Sequence, residues 1–145
     1  MDKIDREILN ILQKDARVSN KYIAEKVHLS PPAVTARINK LESIRIIEGY
    51  STVINAKKMD KNIMARINLK QIRGTRGQIV EVLNVNPNVI NYEHITGRYT
   101  LSVKVLVSQT SELEDTIDTL RKFGTTETLI ILSTTRVDKS IYMFD

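Results

Sequence analysis

Along the first fifty residues apolar side chains recur at helical spacing. Ile4, Ile8, Ile11 and Leu12 line one side of residues 2–15; Asp5, Arg6, Lys14 and Asp15 are expected to face water, and Asp2 is placed to cap the first turn. Ser19 opens a second, shorter helix through Val27, with Ile23, Ala24 and Val27 turned inward. His28 and Leu29 then form the turn into a third. There Ser30 is a preferred N-cap, Pro31 falls at N1 where its missing N–H is no loss, and Val34, Ile38 and Leu41 at i, i+4, i+7 make the apolar stripe. Three helices with so tight a turn between the second and third form a helix-turn-helix, a motif whose third helix enters the DNA major groove while the second braces it. Three helices in about 48 residues bury little surface, so this unit is marginal alone.

Beyond Gly49 the apolar period changes from 3.6 to 2. Residues 50–54 are β-rich, and the polar, charged residues 55–62 read as a linker. Ile63, Ala65, Ile67 and Leu69 then alternate with Met64, Arg66, Asn68 and Lys70 as a half-buried strand. Gly74 and Gly77 bracket a turn into a short helix carrying Ile79, Val82 and Leu83, which Asn86-Pro87 ends. Residues 89–95 make a second strand, Thr96-Gly97-Arg98 a tight connection, and Tyr99, Leu101, Val103, Val105 and Val107 the alternating positions of a third. Ser111 and Glu114 predict a capping box for a helix bearing Leu113, Ile117 and Leu120, with Gly124 at its C′ position. Residues 128–137 form the last strand, with an apolar run from 129 to 132 that suggests burial on both sides.

The order β-α-β-β-α-β is that of a ferredoxin-like domain, and the fold class is α+β. The predicted organisation is a three-helix helix-turn-helix domain over residues 1–49, a strand and linker over 50–61, and a ferredoxin-like dimerisation and effector-binding domain over 62–145. Two helices on one face of such a sheet leave the other bare. Met64, Leu106, Ile130 and Leu132 place apolar side chains where they would be exposed, so the open face is expected to pack against a second copy, giving a homodimer at least.

Charge permits nucleic-acid binding without demanding it. The 145 residues carry a net charge of +5, and nine Lys/Arg stand against seven Asp/Glu in the first fifty. The local pattern is sharper: from Ser30 to Leu41 there is no carboxylate, although acids in the first turn would favour the helix dipole, so an external anion could take that place. Opposite the apolar stripe lie Pro32, Ala33, Ala36, Asn39, Lys40 and Ser43, with Arg37 on the flank. Small Pro32, Ala33 and Ala36 would let the helix approach a groove closely; Arg37 and Asn39 have the donor geometry to read guanine and adenine edges; Lys40 and Ser30 suit phosphate. Double-stranded DNA is the expected partner.

Other chemistry is expected to be absent. There is no cysteine, and His28 and His94 are far apart in sequence, so neither a metal site nor a cofactor is expected. The Ser, Asp and Glu residues show no nucleophile–base constellation and the glycines no phosphate loop, so the chain is not read as an enzyme. With no run long enough to span a membrane and no signal-peptide core, a cytoplasmic location and no membrane partner are expected.

Several local patterns follow one another in a familiar order: Asp5-x-x-Ile8-Leu9, Asp15-x-Arg17-x-Ser19, Leu29-Ser30-x-x-x-Val34-x-x-Arg37-Ile38-x-x-Leu41-Glu42, Ile47-x-Gly49-Tyr50 and Thr96-Gly97-x-Tyr99. In that order, over essentially the whole chain, the sequence resembles the Lrp/AsnC family of transcription regulators. The resemblance implies a regulator that dimerises through the sheet, assembles further into octamers, binds DNA through paired helix-turn-helix units and responds to a small-molecule, amino-acid-like effector held between dimers. It also implies an effector site at Gly97, Arg98, Tyr99 and Thr100, to which the hydroxyls of Thr134 and Thr135 could contribute. Two positions depart from the family pattern. Arg45 stands where members usually have a glycine suited to a left-handed C′ residue. Thr100 stands where many carry an aspartate; a neutral hydroxyl there removes the charge-assisted partner of an effector's ammonium, which counts against a simple amino acid. Two alternatives stand beside the regulator: an effector-independent architectural protein that wraps DNA, and a small-molecule sensor with an accessory helix-turn-helix.

Overall fold

In a computed structural model of the chain, which describes residues 1–134, the first and shortest apolar pattern folds as three helices: α1 (Lys3–Lys14), α2 (Asn20–Val27) and α3 (Pro31–Ser43). Each N-cap side chain expected from the sequence is in place. Asp2 accepts from the Asp5 amide at 2.9 Å and Asp5 returns the bond at 3.0 Å, Ser19 accepts from the Tyr22 amide, and Ser30 accepts from the Ala33 amide. Ile8, Ile23, Ala24, Val27, Val34 and Ile38 form the core, with Ile4, Ile11, Leu12, Val18, Leu29 and Ile47 packed around it. His28 makes the turn by adopting the left-handed conformation, φ 54°, which lets the Leu29 amide reach back to the Ala24 carbonyl at 3.0 Å.

Arg45 does what a glycine would do at the end of α3. Its φ is +56°, its amide donates to the Glu42 carbonyl, and the Ile46 amide donates to the Leu41 carbonyl at 2.9 Å, the paired bonds of a Schellman motif. A side chain in this conformation is strained, and the helix end is held in spite of it.

Asp5 does not face water as expected. It is 4% exposed, because the first turn of α1 lies against α3 and presents this carboxylate to Arg37. The strand expected over residues 50–54 is likewise not formed. No strand among the described residues pairs with it, and an extended segment without a ladder partner gains nothing from β geometry. Tyr50, Val53 and Ile54 are left 52%, 64% and 67% exposed.

The chain divides into two compact units, Met1–Val53 and a second that begins at Ile54. In the second, a 3-10 turn (Ala56–Met59) precedes β1 (Ile63–Gln71), α4 (Arg76–Val85), β2 (Val89–His94), β3 (Leu101–Val107), α5 (Thr110–Arg121) and β4 (Gly124–Ile130). The sheet is antiparallel in the order β2-β3-β1-β4, the ferredoxin-like arrangement. Ala65, Ile67 and Leu69 of β1 and Leu101, Val103 and Val105 of β3 share the covered face, where Ile79 and Leu83 of α4 and Leu113 and Leu120 of α5 complete the core. On the open face Arg66 binds Glu93 and Ser102, and Ser102 donates to Asn68, beside the apolar Met64, Leu106 and Leu129.

Three local expectations are corrected. α5 starts one residue earlier than a cap at Ser111 allows: Gln109 is the N-cap, and Glu112 rather than Glu114 reaches back, accepting from the Ser108 amide at 2.9 Å. Gly77 lies inside α4, whose cap is a Thr75–Gln78 box. Gly124 is not a helix C′ residue but the first of β4, which begins four residues before the expected start. Thr128 is therefore already in mid-strand, and residues 135–137 of the expected strand lie outside the described residues. Leu129, Ile130 and Leu132 are 47%, 52% and 91% exposed, so within one chain the run from 129 to 132 is not buried on both sides; β4 is an edge strand.

The reason for glycine at 124 is close approach. A Cβ there would sit 2.1 Å from the Lys70 carbonyl oxygen of β1. Backbone cannot yield as a flexible side chain does, so Gly124→Ala must push β4 off β1. Unfolding of this variant, followed in the full-length chain by hydrogen exchange of β1 amides, is expected to show a loss of roughly 1–3 kcal/mol or more in the second unit, with the helix-turn-helix amides unchanged.

Candidate nucleic-acid interface

α3 presents the face that its sequence predicts. Val34, Ile38 and Leu41 are buried, while Ser30, Pro32, Ala36, Asn39, Lys40 and Ser43 are exposed and Ala33 is partly so. The side chains around that face are largely committed to shaping it. The Ser30 oxygen caps the helix, the Ser43 hydroxyl donates to the Lys40 carbonyl, and Tyr50 donates to Glu42, the single acid of the helix. The side chains of Asn39 and Lys40 enter no such internal bond that holds them to the helix surface. Lys40 in the last turn also lies where a cation is favoured by the helix dipole.

Arg37 is placed differently from its sequence expectation. Its guanidinium lies 2.7 Å from the Asp2 carboxylate and 2.7 Å from that of Asp5, with the side chain 29% exposed. A guanidinium reads guanine by a bidentate bond from free N–H groups, and here those groups bridge the two carboxylates of the α1 cap. This geometry counts against base reading by Arg37 and makes it the strut that sets α3 against α1.

The electrostatics agree. The Asp5 amide and then Arg37 hold the Asp2 carboxyl below its ordinary value. At Asp5 burial is the largest influence and opposes ionisation, but the Asp2 amide and Arg37 together outweigh it, so this carboxyl too is lowered; Arg37 is raised in turn.

The sequence reading missed two further contacts. Asp2 and Asp5, one helical turn apart, and Arg37 on the flank of the apolar stripe carried the signal for the first. The second is Asn20, whose amide donates to the Thr35 hydroxyl at 2.8 Å, while that hydroxyl donates to the Pro31 carbonyl. This bond ties the start of α2 to the first turns of α3, and Thr35, exposed beside Ala36, keeps its methyl available to a groove.

The residues expected to form an effector site do not all converge within one chain. Gly97, with φ +114°, allows the turn between β2 and β3, and Arg98 lies 5.4 Å over the Tyr99 ring. Thr100 is spent on the main chain: its hydroxyl donates to the Leu69 carbonyl and accepts from the Gln71 amide, both at 3.2 Å, pinning the loop to the end of β1. Thr134 instead lies by Met64 at the start of β1, its hydroxyl 3.9 Å from the sulfur. Five residues of strand separate Met64 from Leu69, about 17 Å. Thr134 and Thr100 are thus at opposite ends of the sheet, and Thr135 lies outside the described residues. A carboxylate does stand beside the loop, but from β4: partial burial and a hydrogen bond to Glu127 push the Tyr99 phenol up.

Among the described residues no group of three or more His, Asp or Glu could hold a metal ion, and no helix is long and apolar enough to cross a membrane.

Because Asp2 and Asp5 are lowered in the folded chain, the stability they lend is full above about pH 4 and is lost as pH falls through their folded values. Arg37→Met removes that pH dependence and lowers the melting temperature of the helix-turn-helix by about 4–8 °C at pH 7. Amide-resolved thermal unfolding at pH 7 and pH 3 checks both.

Residues 1–42 match the AsnC-type helix-turn-helix domain, and residues 62–141 match the Lrp/AsnC ligand binding domain. The chain is 34% identical over 133 residues to an uncharacterized HTH-type transcriptional regulator of Bacillus subtilis, YezC, covering 92% of this chain and 94% of that protein. The solved structure of B. subtilis LrpC superposes with a TM-score of 0.86 at 27% identity, over 94% of this chain and 97% of that one. A transcriptional regulator of Neisseria meningitidis solved with L-Met superposes with a TM-score of 0.88 over 98% of this chain and 96% of that one; at 21% identity this is a likeness of fold.

Proposed function

The chain belongs to the Lrp/AsnC family of transcription regulators, not to a family of enzymes, and on that premise we propose that it reads duplex DNA with α3 in the major groove, while Arg37 serves as the strut behind that helix. The observation that carries this is the division of labour on α3. Its exposed face of Pro32, Ala33, Ala36, Asn39 and Lys40 is small, polar and free of acids, and Arg37, the other strong donor, is already bound to Asp2 and Asp5. Asn39 then carries base discrimination, Lys40 and the exposed start of α3 at Ser30 meet phosphate, and Thr35 supplies a methyl.

Two such helices act together in the assembled protein. Met64, Leu106 and Leu129 on the open sheet face support a homodimer through that face, with further assembly to the octamer that the sequence suggests. Pairing multiplies contacts that a single marginal unit could not use.

The effector reading rests on the loop at 97–100. The relative from N. meningitidis was solved with L-Met. Here Arg98 offers a cation for a carboxylate, and Glu127, bonded to Tyr99, supplies the acid that Thr100 does not. An amino acid carries both matching groups. Thermal-shift screening over the amino acids is expected to find a stabilising ligand whose effect Glu127→Gln abolishes; no stabilisation by any of them contradicts the effector reading.

DNA binding is tested by titration against a selected operator and against random duplex. Lys40→Ala is expected to weaken both alike and reduce the salt slope by about one unit, and Asn39→Ala to cost roughly 1–3 kcal/mol of discrimination at an A·T pair. An operator-to-random ratio near one would assign the chain the architectural, DNA-wrapping role, since specific binders typically reach about 10³ or more.

A further inference from the structure

The helix-turn-helix unit carries an apolar groove with nothing in it. It encloses about 660 Å³ between α1 and the chain that leaves α3, with Leu9, Leu12, Ile46, Ile47 and Val53 among its lining residues. That volume lies within the roughly 300–1,000 Å³ of sites that bury a small molecule. Its outer wall, residues 50–54, is extended chain without a ladder partner and with Tyr50, Val53 and Ile54 more than half exposed. Unpaired main-chain groups and exposed apolar side chains on one segment call for a strand to cover them.

The register of the sheet indicates where that strand comes from. β4 runs antiparallel to β1, Ala65 facing Ile130, and the pairing continues past the end of β4 where the Ile131 amide donates to the Met64 carbonyl at 2.8 Å. Thr134 still keeps beside Met64. Continued in the same sense, the chain after β4 runs back along the segment that precedes β1, and an unshifted register sets Ile141 opposite Ile54 and Tyr142 opposite Val53. The 3-10 turn at Ala56–Met59 shortens that path by about 5 Å, less than two residues of strand. With or without this offset, the run Ile141-Tyr142-Met143-Phe144 falls beside residues 50–54. It is four consecutive apolar residues in a stretch otherwise polar or charged from Arg136 on, apart from Val137.

We propose that the last residues of the chain, 138–145, fold back as a strand on residues 50–54 and seat the apolar side chains of 141–144 on the groove of the helix-turn-helix unit. The groove is then an intramolecular docking site, and residues 50–54 acquire the β pairing their composition favours. These residues are the covalent path from the reading helix to the ferredoxin-like unit, so a docked tail stiffens that path.

The absence of native cysteine makes the test clean. Two double variants, V53C/Y142C and V53C/I141C, are oxidised mildly in the full-length chain beside a K21C/Y142C control on α2. The proposal expects at least one of the two to form a disulfide within a single chain, at monomer mass on a non-reducing gel, about tenfold faster than the control. No disulfide, or a rate equal to the control, overturns it. A bond that links two chains, also obtained on mixing V53C protein with Y142C protein, overturns it as well and gives the groove to a second copy. Independently, I141S/F144S should speed amide exchange at residues 51–54 by about tenfold and leave α3 unchanged; unchanged exchange at 51–54 overturns the proposal even if the cysteine variants fold poorly.

Discussion

Arg37 between Asp2 and Asp5 is the contact on which the reading surface depends. The helix-turn-helix core is small, with six fully or nearly buried apolar side chains at its centre, and apolar packing alone leaves helices free to slide. A guanidinium held at 2.7 Å by two carboxylates fixes direction as well as distance. Those carboxylates are themselves the reciprocal cap of α1, so one cluster ends a helix, satisfies its first amides and orients the helix that meets DNA. The Asn20–Thr35 bond does the same from the side of α2. The exposed face of α3 can stay small and weakly charged because its orientation is set from behind.

The second unit solves a different problem. Its strands are long, its core is continuous, and its constraint is the closeness of two backbones at the start of β4, where the Lys70 carbonyl leaves no room for a Cβ at residue 124. Its open face combines a polar network around Arg66 with Met64, Leu106 and Leu129, a mixture suited to partnership with a second copy rather than to solvent alone.

Much of this was legible in the sequence. The three helices, their caps at Asp2, Ser19 and Ser30, the βαββαβ order and the inward positions of β1 and β3 follow from periodicity and capping chemistry, which are local. What was not legible depends on contacts between distant residues. Asp5 reads as a solvent-facing first-turn acid until α3 brings Arg37 to it. Gly124 reads as a helix terminator until β1 arrives beside it. Residues 50–54 have strand composition, yet β structure requires a partner that composition does not name. Arg45 shows the converse: the left-handed position was legible from the place in the motif, although the residue there is unfavourable to it. Glu127 escaped notice because it lies 27 residues from the loop whose Tyr99 it binds.

The central claim, that α3 reads DNA while Arg37 holds it from behind, is tested most directly by the structure of the full-length protein bound to duplex DNA. The account predicts α3 in the major groove with Asn39 at a base edge, Lys40 near phosphate, and Arg37 still bridging Asp2 and Asp5. Arg37 released from both carboxylates and bonded to a guanine, or a different element occupying the groove, would contradict it.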